Sequence, residues 1–212
     1  MNRVTIGSAI LAAALSFSGY AQSAPPVAGG VGMPAPKGQM TAKRGASNVL
    51  EEGITSLNLF IASGKARDVK ALTKFVDLKI KPYFDFDHMA KLVAGPFYET
   101  MSTKEKALFT KRVEKMFMRA FIDNVVSHRG PPPKVQFLRP RPSSDARRID
   151  LMARLLFPGG ATKRMVFKFS KSNDGKWKVF DVVANGQSAV LYYRKHFMQV
   201  ARKGGVKAMV GR

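Results

Sequence analysis

Apolar residues recur along this chain first at helical and then at strand spacing, and the period changes near residue 130. Between Asn48 and Ser63, Leu50, Ile54, Leu57 and Ile61 follow one another at helical intervals. That spacing predicts a helix with one apolar face, ended by Gly64. Asp68 to Lys81 repeats the pattern with Leu72, Phe75 and Val76, until Pro82 interrupts it. Asp87 is expected to cap a short helix through Val93, closed by Gly95, because a carboxylate there accepts amide hydrogens and suits the helix dipole. Ser102-Thr103-Lys104-Glu105 has the spacing of a capping box. It opens the longest predicted helix, Thr103 to His128, with an apolar stripe of Leu108, Phe109, Val113, Met116, Phe117, Ala120, Phe121 and Val125. Gly130 and Pro131-Pro132-Pro133 end it.

Beyond that point the period is two. Val135 and Phe137 begin a short strand. Ile149, Leu151, Ala153, Leu155 and Phe157 alternate with Arg148, Asp150, Met152, Arg154 and Leu156. Pro158-Gly159-Gly160 turns the chain, and Met165, Phe167 and Phe169 alternate with Arg164, Val166 and Lys168. Asn173-Asp174-Gly175 reads as a hairpin turn. Trp177 to Ala184 is the next strand, followed by an Asn185-Gly186 turn. Ser188 is expected to cap a last helix that ends near Gly204-Gly205. The pattern predicts an α+β fold: N-terminal helices packed on a curved antiparallel sheet of about four strands, closed by a C-terminal helix. One sheet face is apolar and the other basic, and helices must cover the apolar face, because an open one aggregates.

The two ends of the chain narrow this further. Asn2 and Arg3 give a short positive start, Val4 to Phe17 is apolar or small, and Gly19 and Ala21 supply small residues for cleavage. Residues 1–21 therefore read as a secretory signal cut after Ala21, with Ala24 as the alternative. The apolar run is shorter than the roughly 20 residues of a spanning helix. Residues 22–46, rich in Pro, Gly, Ala and Ser, are expected to be a flexible leader, with the folded domain over 47–212. The chain holds no cysteine. Packing alone must hold an exported fold, and thiol catalysis, thiolate-bound zinc and iron–sulfur clusters are excluded. The formal net charge is +22, and residues 131–212 hold 18 Lys and Arg against 4 Asp and Glu. Such a surface suits anionic lipid or acidic proteins; nucleic acid is not expected in an exported protein.

Candidate chemistry is sparse. His88, His128 and His196 have no second ligand at metal spacing, and no nucleophile elbow or phosphate loop is present. No metal or cofactor is expected. Asp181 is unusual, since alternation places it with Trp177, Val179 and Val183 on one strand face, where a carboxylate needs an arginine or amide partner. Two readings follow: an anchor between strand and helix, or a general base on a cone-shaped fold. The chain is also rich in adaptable apolar groups, with 15 Phe and 11 Met. Flexible methionine suits a site that accepts variable chains. An exported chain with a cationic outside, an apolar inside and no catalytic set suggests a carrier of an anionic, insoluble ligand.

Four segments resemble the MlaC / toluene-tolerance family of periplasmic phospholipid-shuttle proteins. They are Phe84-Asp85-Phe86-Asp87-His88-Met89-Ala90-Lys91-Leu92-Val93-Ala94-Gly95; Met101-Ser102-Thr103-Lys104-Glu105 with Phe109; Trp177-Lys178-Val179-Phe180-Asp181-Val182; and Gly186-Gln187-Ser188 with Tyr193-Arg194 and Phe197. Phe180 replaces the usual Tyr, Asn185 an acidic residue and Gln187 a Val. The resemblance implies an α+β fold related to nuclear-transport-factor-2-like domains and a non-enzymatic periplasmic carrier of phospholipid. It implies exchange between an inner-membrane ABC transporter complex bearing an MCE-domain protein and an outer-membrane lipoprotein–porin complex, which maintains outer-membrane lipid asymmetry. A monomer is expected. A hopanoid or other polycyclic lipid, and a small enzyme using Asp181 as base, are the alternatives. The expected lipid-binding residues are Phe84, Leu92, Phe97, Phe109, Met116, Phe117, Leu151, Met165, Phe167, Val179 and Phe197. Arg194 and Lys195 are expected at the rim, Asp181 and Tyr193 as anchors, with an Asp181–Arg194 pair and the helix from Ser188 to Lys203 gating the mouth.

Overall fold

The computed structural model describes the backbone of residues 37–127, 131–138, 147–172 and 174–211, with side chains from Gly45 onward. The expected signal, its cleavage site and residues 22–36 lie outside these residues, as do His128 and Asn173. The first helix, α1, spans Lys37–Ala62. It starts before Ser47, inside the stretch read as a leader, and Ala46 is fully buried. Small residues there permit the close packing of Ala46, a pattern that composition alone reads as flexibility.

Helix α2, Val69–Phe75, is capped by Asp68, whose carboxylate accepts from the Lys70 and Ala71 amides at 2.8 and 3.2 Å. It runs on as a π-helical turn, Val76–Ile80, and a 3-10 turn at Lys81–Tyr83 around Pro82. Helix α3, Phe86–Ala94, is capped by Asp85, which accepts from the His88 amide at 3.0 Å. This corrects the expected Asp87 cap. A capping carboxylate must precede the first turn on non-helical backbone, and Asp87 lies inside that turn. A short α4, Phe97–Thr100, leads to α5, Thr103–Ser127. The capping box forms as expected: the Ser102 amide donates to Glu105 Oε2 at 2.9 Å, and the Glu105 amide donates to Ser102 Oγ at 3.3 Å.

The strands are β1 Lys134–Phe137, β2 Arg148–Leu156, β3 Thr162–Lys171, β4 Trp177–Ala184 and β5 Gln187–Ser188. They form one antiparallel meander in chain order, five strands rather than about four. The extra strand exists because Asn185 and Gly186, at φ of 50° and 82°, make a tight turn that folds Gln187 and Ser188 back onto Val183 and Ala184. Helix α6, Ala189–Val210, is capped by Ser188, whose Oγ accepts from the Leu191 amide at 3.0 Å. Gly204 and Gly205 break it as expected, with Gly205 at φ 59°, but a further stretch follows to Val210. Arg112 holds that stretch by donating to the carbonyls of Ala208 and Met209 at 3.0 and 2.8 Å.

One bulge decides what each face of the sheet carries. Lys168 pairs with Asp181 but Phe169 with Val179, so Phe180 is an extra residue in β4. Val179 and Val182 then share one face, while Phe180 and Asp181 lie on the other. The expected alternation that set Asp181 beside Val179 is corrected by this bulge. Two apolar clusters result. Phe180 joins a helical core with Met89, Val93, Phe109, Val113, Tyr193 and Phe197 from α3, α5 and α6. On the opposite face, Ile149, Leu151, Met165, Phe169, Trp177, Val179 and Val182 pack with Ala46 and Leu50 of α1. Among the described residues, no helix is long and apolar enough to cross a membrane, and no group of three His, Asp or Glu stands close enough to hold a metal ion.

Candidate functional site

The face of the sheet under α1 does not close completely. A cavity of about 230 Å³ lies between α1, the C-terminal half of α5 and the strands. Helix α1 contributes Val49, Leu50, Gly53, Ile54, Leu57, Asn58 and Ile61, the face that helical spacing turns one way. The turns before α3 contribute Ile80, Tyr83 and Phe84, and α5 contributes Phe117, Met118, Phe121, Asn124 and Val125. The floor is built by Leu155, Phe157, Met165, Phe167, Phe169, Val179 and Val182, with Pro133 and Val135 at one edge. Strand alternation and the β4 bulge together aim these side chains the same way.

No charged residue is among the lining, and its polar members are Asn58, Tyr83 and Asn124. Asn124 is committed to its own helix, donating to the Ala120 carbonyl at 2.6 Å. Burial pushes the Tyr83 hydroxyl above its usual value, and the charge of Glu52 adds to this. Water in such a space would find few partners. An apolar cavity of about 150 Å³ is known to stay dry and accept an apolar guest, and this one is larger. The chemistry on offer is therefore burial of hydrocarbon.

Of the residues expected to line a lipid site, the structure brings Phe84, Phe117, Met165, Phe167 and Val179 to the cavity. The other six lie elsewhere. Phe109 and Phe197 are fully buried and meet edge-to-face at 4.8 Å in the helical core. Leu92, Phe97 and Met116 pack against that same core, and Leu151 sits in the smaller cluster without reaching the cavity. Stripe membership alone did not separate the two sides of the sheet. The α1 residues were missed for the same reason: an apolar stripe facing a cavity has the same spacing as one facing a filled core. The one sequence signal for α1 is Gly53 inside that stripe, where an added Cβ would stand 3.4 Å from the Tyr83 ring.

Helix α6 does not gate this cavity, since none of its residues lines it. It packs on the other sheet face with α3 and α5. Arg194 and Lys195 accordingly border a shallow depression on its outer side, with Leu191, Met198, Gln199 and Arg202. The expected Asp181–Arg194 pair is not formed. The Arg194 guanidinium lies against Gly95, within 3.1 Å of where a Cβ would be. Asp181 instead accepts from Ser188 Oγ on Oδ2 at 2.7 Å and from the Val190 amide on Oδ1 at 3.1 Å, and Lys168 Nζ stands 3.7 Å from the same Oδ2. Its carboxylate thus ties β4 to the first turn of α6, with its back to the cavity. Tyr193 is buried beside Phe117, with ring centroids 4.6 Å apart, and burial pushes its hydroxyl up to about 12.

A family model described as MlaC protein matches residues 54–212. Among solved structures, the chain is similar to the phospholipid-binding protein from Ralstonia solanacearum, determined in complex with a phospholipid. The TM-score is 0.67 at 19% sequence identity, covering 80% of this chain and 92% of that one. At that identity the likeness concerns the fold. No curated protein matches the chain.

Proposed function

The chain belongs to the MlaC family, and from that premise we propose that it is a lipid carrier that holds acyl chains in the cavity beneath α1. The observation that carries this reading is the lining itself, hydrocarbon on the helix and on the strands, with no charged residue among its members. Each CH2 group moved from water to such a place gains about 0.8 kcal/mol, so an acyl chain has a large incentive to enter. The structural neighbour was solved with a phospholipid bound, which favours that class over a polycyclic lipid.

The wider reading is a periplasmic shuttle. The signal-like N-terminus and the basic surface suit a soluble protein that passes phospholipid between an inner-membrane MCE-domain/ABC transporter complex and an outer-membrane lipoprotein–porin complex. A monomer suffices for that role. Enzymatic use of Asp181 is disfavoured, because the bulge turns it away from the cavity and two hydrogen bonds hold it. The test is organic extraction of the protein purified from its native host, followed by mass spectrometry. Co-purified phospholipid is expected; an extract without lipid at any stoichiometry overturns the carrier reading, and one holding only hopanoid replaces its cargo. Cell fractionation checks the compartment, where recovery in the cytoplasm alone would overturn the shuttle.

A further inference from the structure

We infer that Lys163, which does not itself line the cavity but stands directly behind its lining residues Leu155 and Phe157, is an anion-binding group placed to hold the acidic head of a bound amphiphile, whether phosphate or carboxylate. The inference deepens the carrier reading and rests on it. Lys163 is the second residue of β3 and shares its face with Met165, Phe167 and Phe169. In register it stands opposite Leu155, which lines the cavity. Its ammonium lies 5.4 Å from the ring centroid of Phe157, another lining residue. Among the described residues it is the only buried charged side chain on that face of the sheet, since Asp181 is on the other.

The side chain is 8% exposed, and its Nζ is fully buried with no hydrogen-bond partner. No carboxylate among the described residues forms an ion pair with it. Lysine on an exposed face costs nothing, and this chain has many there. A buried ammonium without an acceptor is costly, because three donors lose water and gain nothing. The Phe157 ring face offsets part of that loss by cation–π attraction, but one ring does not supply oxygen acceptors for three donors. Burial accordingly pulls the Lys163 ammonium below its ordinary value. An anion there would make charge-assisted hydrogen bonds with all the strength that exclusion of water allows. The apolar floor leads away from it along β3, so a molecule with one acidic end and a hydrocarbon tail matches both features at once. Arg194 and Lys195 lie outside the cavity on α6 and do not serve this position.

The experiment compares dodecyl phosphate, 1-dodecanol and inorganic phosphate by calorimetric titration on lipid-stripped, refolded full-length mature protein, wild type and variants. Wild type is expected to bind dodecyl phosphate about tenfold or more tighter than 1-dodecanol, a difference of one charge-assisted contact. Lys163→Met is expected to lose that advantage while binding 1-dodecanol within about threefold of wild type; Lys163→Arg keeps most of it. Ligand-free Lys163→Met is expected to melt no lower than wild type, because an unsatisfied ammonium has been replaced by an apolar group of similar length. Lys163→Gln serves as the second variant should Met not fold. If either variant binds dodecyl phosphate as wild type does, or weakens both amphiphiles equally, the Lys163 assignment is overturned and the carrier reading stands. If wild type binds neither amphiphile, the carrier reading itself falls. If inorganic phosphate alone binds as tightly as dodecyl phosphate, Lys163 holds a free anion and the headgroup assignment is overturned.

Discussion

Asp181 and His88 show how single side chains fix the face of the sheet opposite the cavity. Asp181 gathers Ser188 Oγ, the Val190 amide and Lys168 around one buried carboxylate. Asp181→Ala leaves buried donors unpaired and frees the start of α6, so it is expected to lower unfolding stability by about 2–4 kcal/mol in urea denaturation. The folded fraction should bind amphiphile as wild type does, because the carboxylate lies across the sheet from the cavity; lost binding at unchanged stability would reverse that assignment. His88 stacks on Phe180 at 4.5 Å and its Nδ1 lies 3.1 Å from Ser170 Oγ. Burial pulls its pKa below 6.5, against the charge of Asp85, with Arg148 and Lys91 helping. The unfolded chain then binds the proton more tightly, so the neutral ring contributes stability that is present above 6.5 and lost as pH falls through the lowered folded value. The urea midpoint is expected to fall as the pH drops below 6.5. His88→Asn should flatten that slope in part, the remainder coming from His196, which burial and Arg112 shift the same way. Much of this chemistry was legible as residue types but not as partners. That Asp181 is an anchor follows from a carboxylate in an apolar strand; that its partners are Ser188 and an amide, not Arg194, depends on a bulge that alternation does not reveal.

At the scale of elements, α1 is the wall that packs over the cavity floor. It packs closely on the sheet at Gly45, where a Cβ would come within 2.8 Å of Trp177 Cδ1. The ring is packed in the core and cannot yield freely. Gly45→Val is therefore expected to cost about 1–3 kcal/mol, as overpacking does, and to change the fluorescence of Trp177, the sole tryptophan. A variant with wild-type emission and urea midpoint would mean α1 is not docked there. Elements with strong periodicity were legible: Trp177–Ala184 and the capping box at Ser102 stand where spacing puts them. The start of α1 was not, because Pro, Gly and Ala read as leader. The fifth strand was missed because two residues carry no period.

On the scale of the whole molecule, the sheet divides a filled core from an unfilled one. Helices α3 and α6 pack with the N-terminal half of α5 on one face, whereas α1, the C-terminal half of α5 and the floor strands leave hydrocarbon facing hydrocarbon across a gap. Unmade contacts on both sides of such a gap are a loss of stability that a guest can restore. A carrier so built should be least stable when empty. An amphiphile present at 100 times its dissociation constant adds about 2.7 kcal/mol, or roughly 5–10 °C in the melting midpoint of a domain of this size. The gain should also be local. In hydrogen exchange, amides of α1 are expected to slow on loading by more than those of α3 and α6, none of whose residues lines the cavity. Ile54→Trp, which fills the space from the α1 side, should raise the midpoint of the empty protein and abolish the ligand-induced gain together. Uniform slowing across both faces would instead mean that the two cores unfold as one unit, and α1 would then have no independent part in exchange.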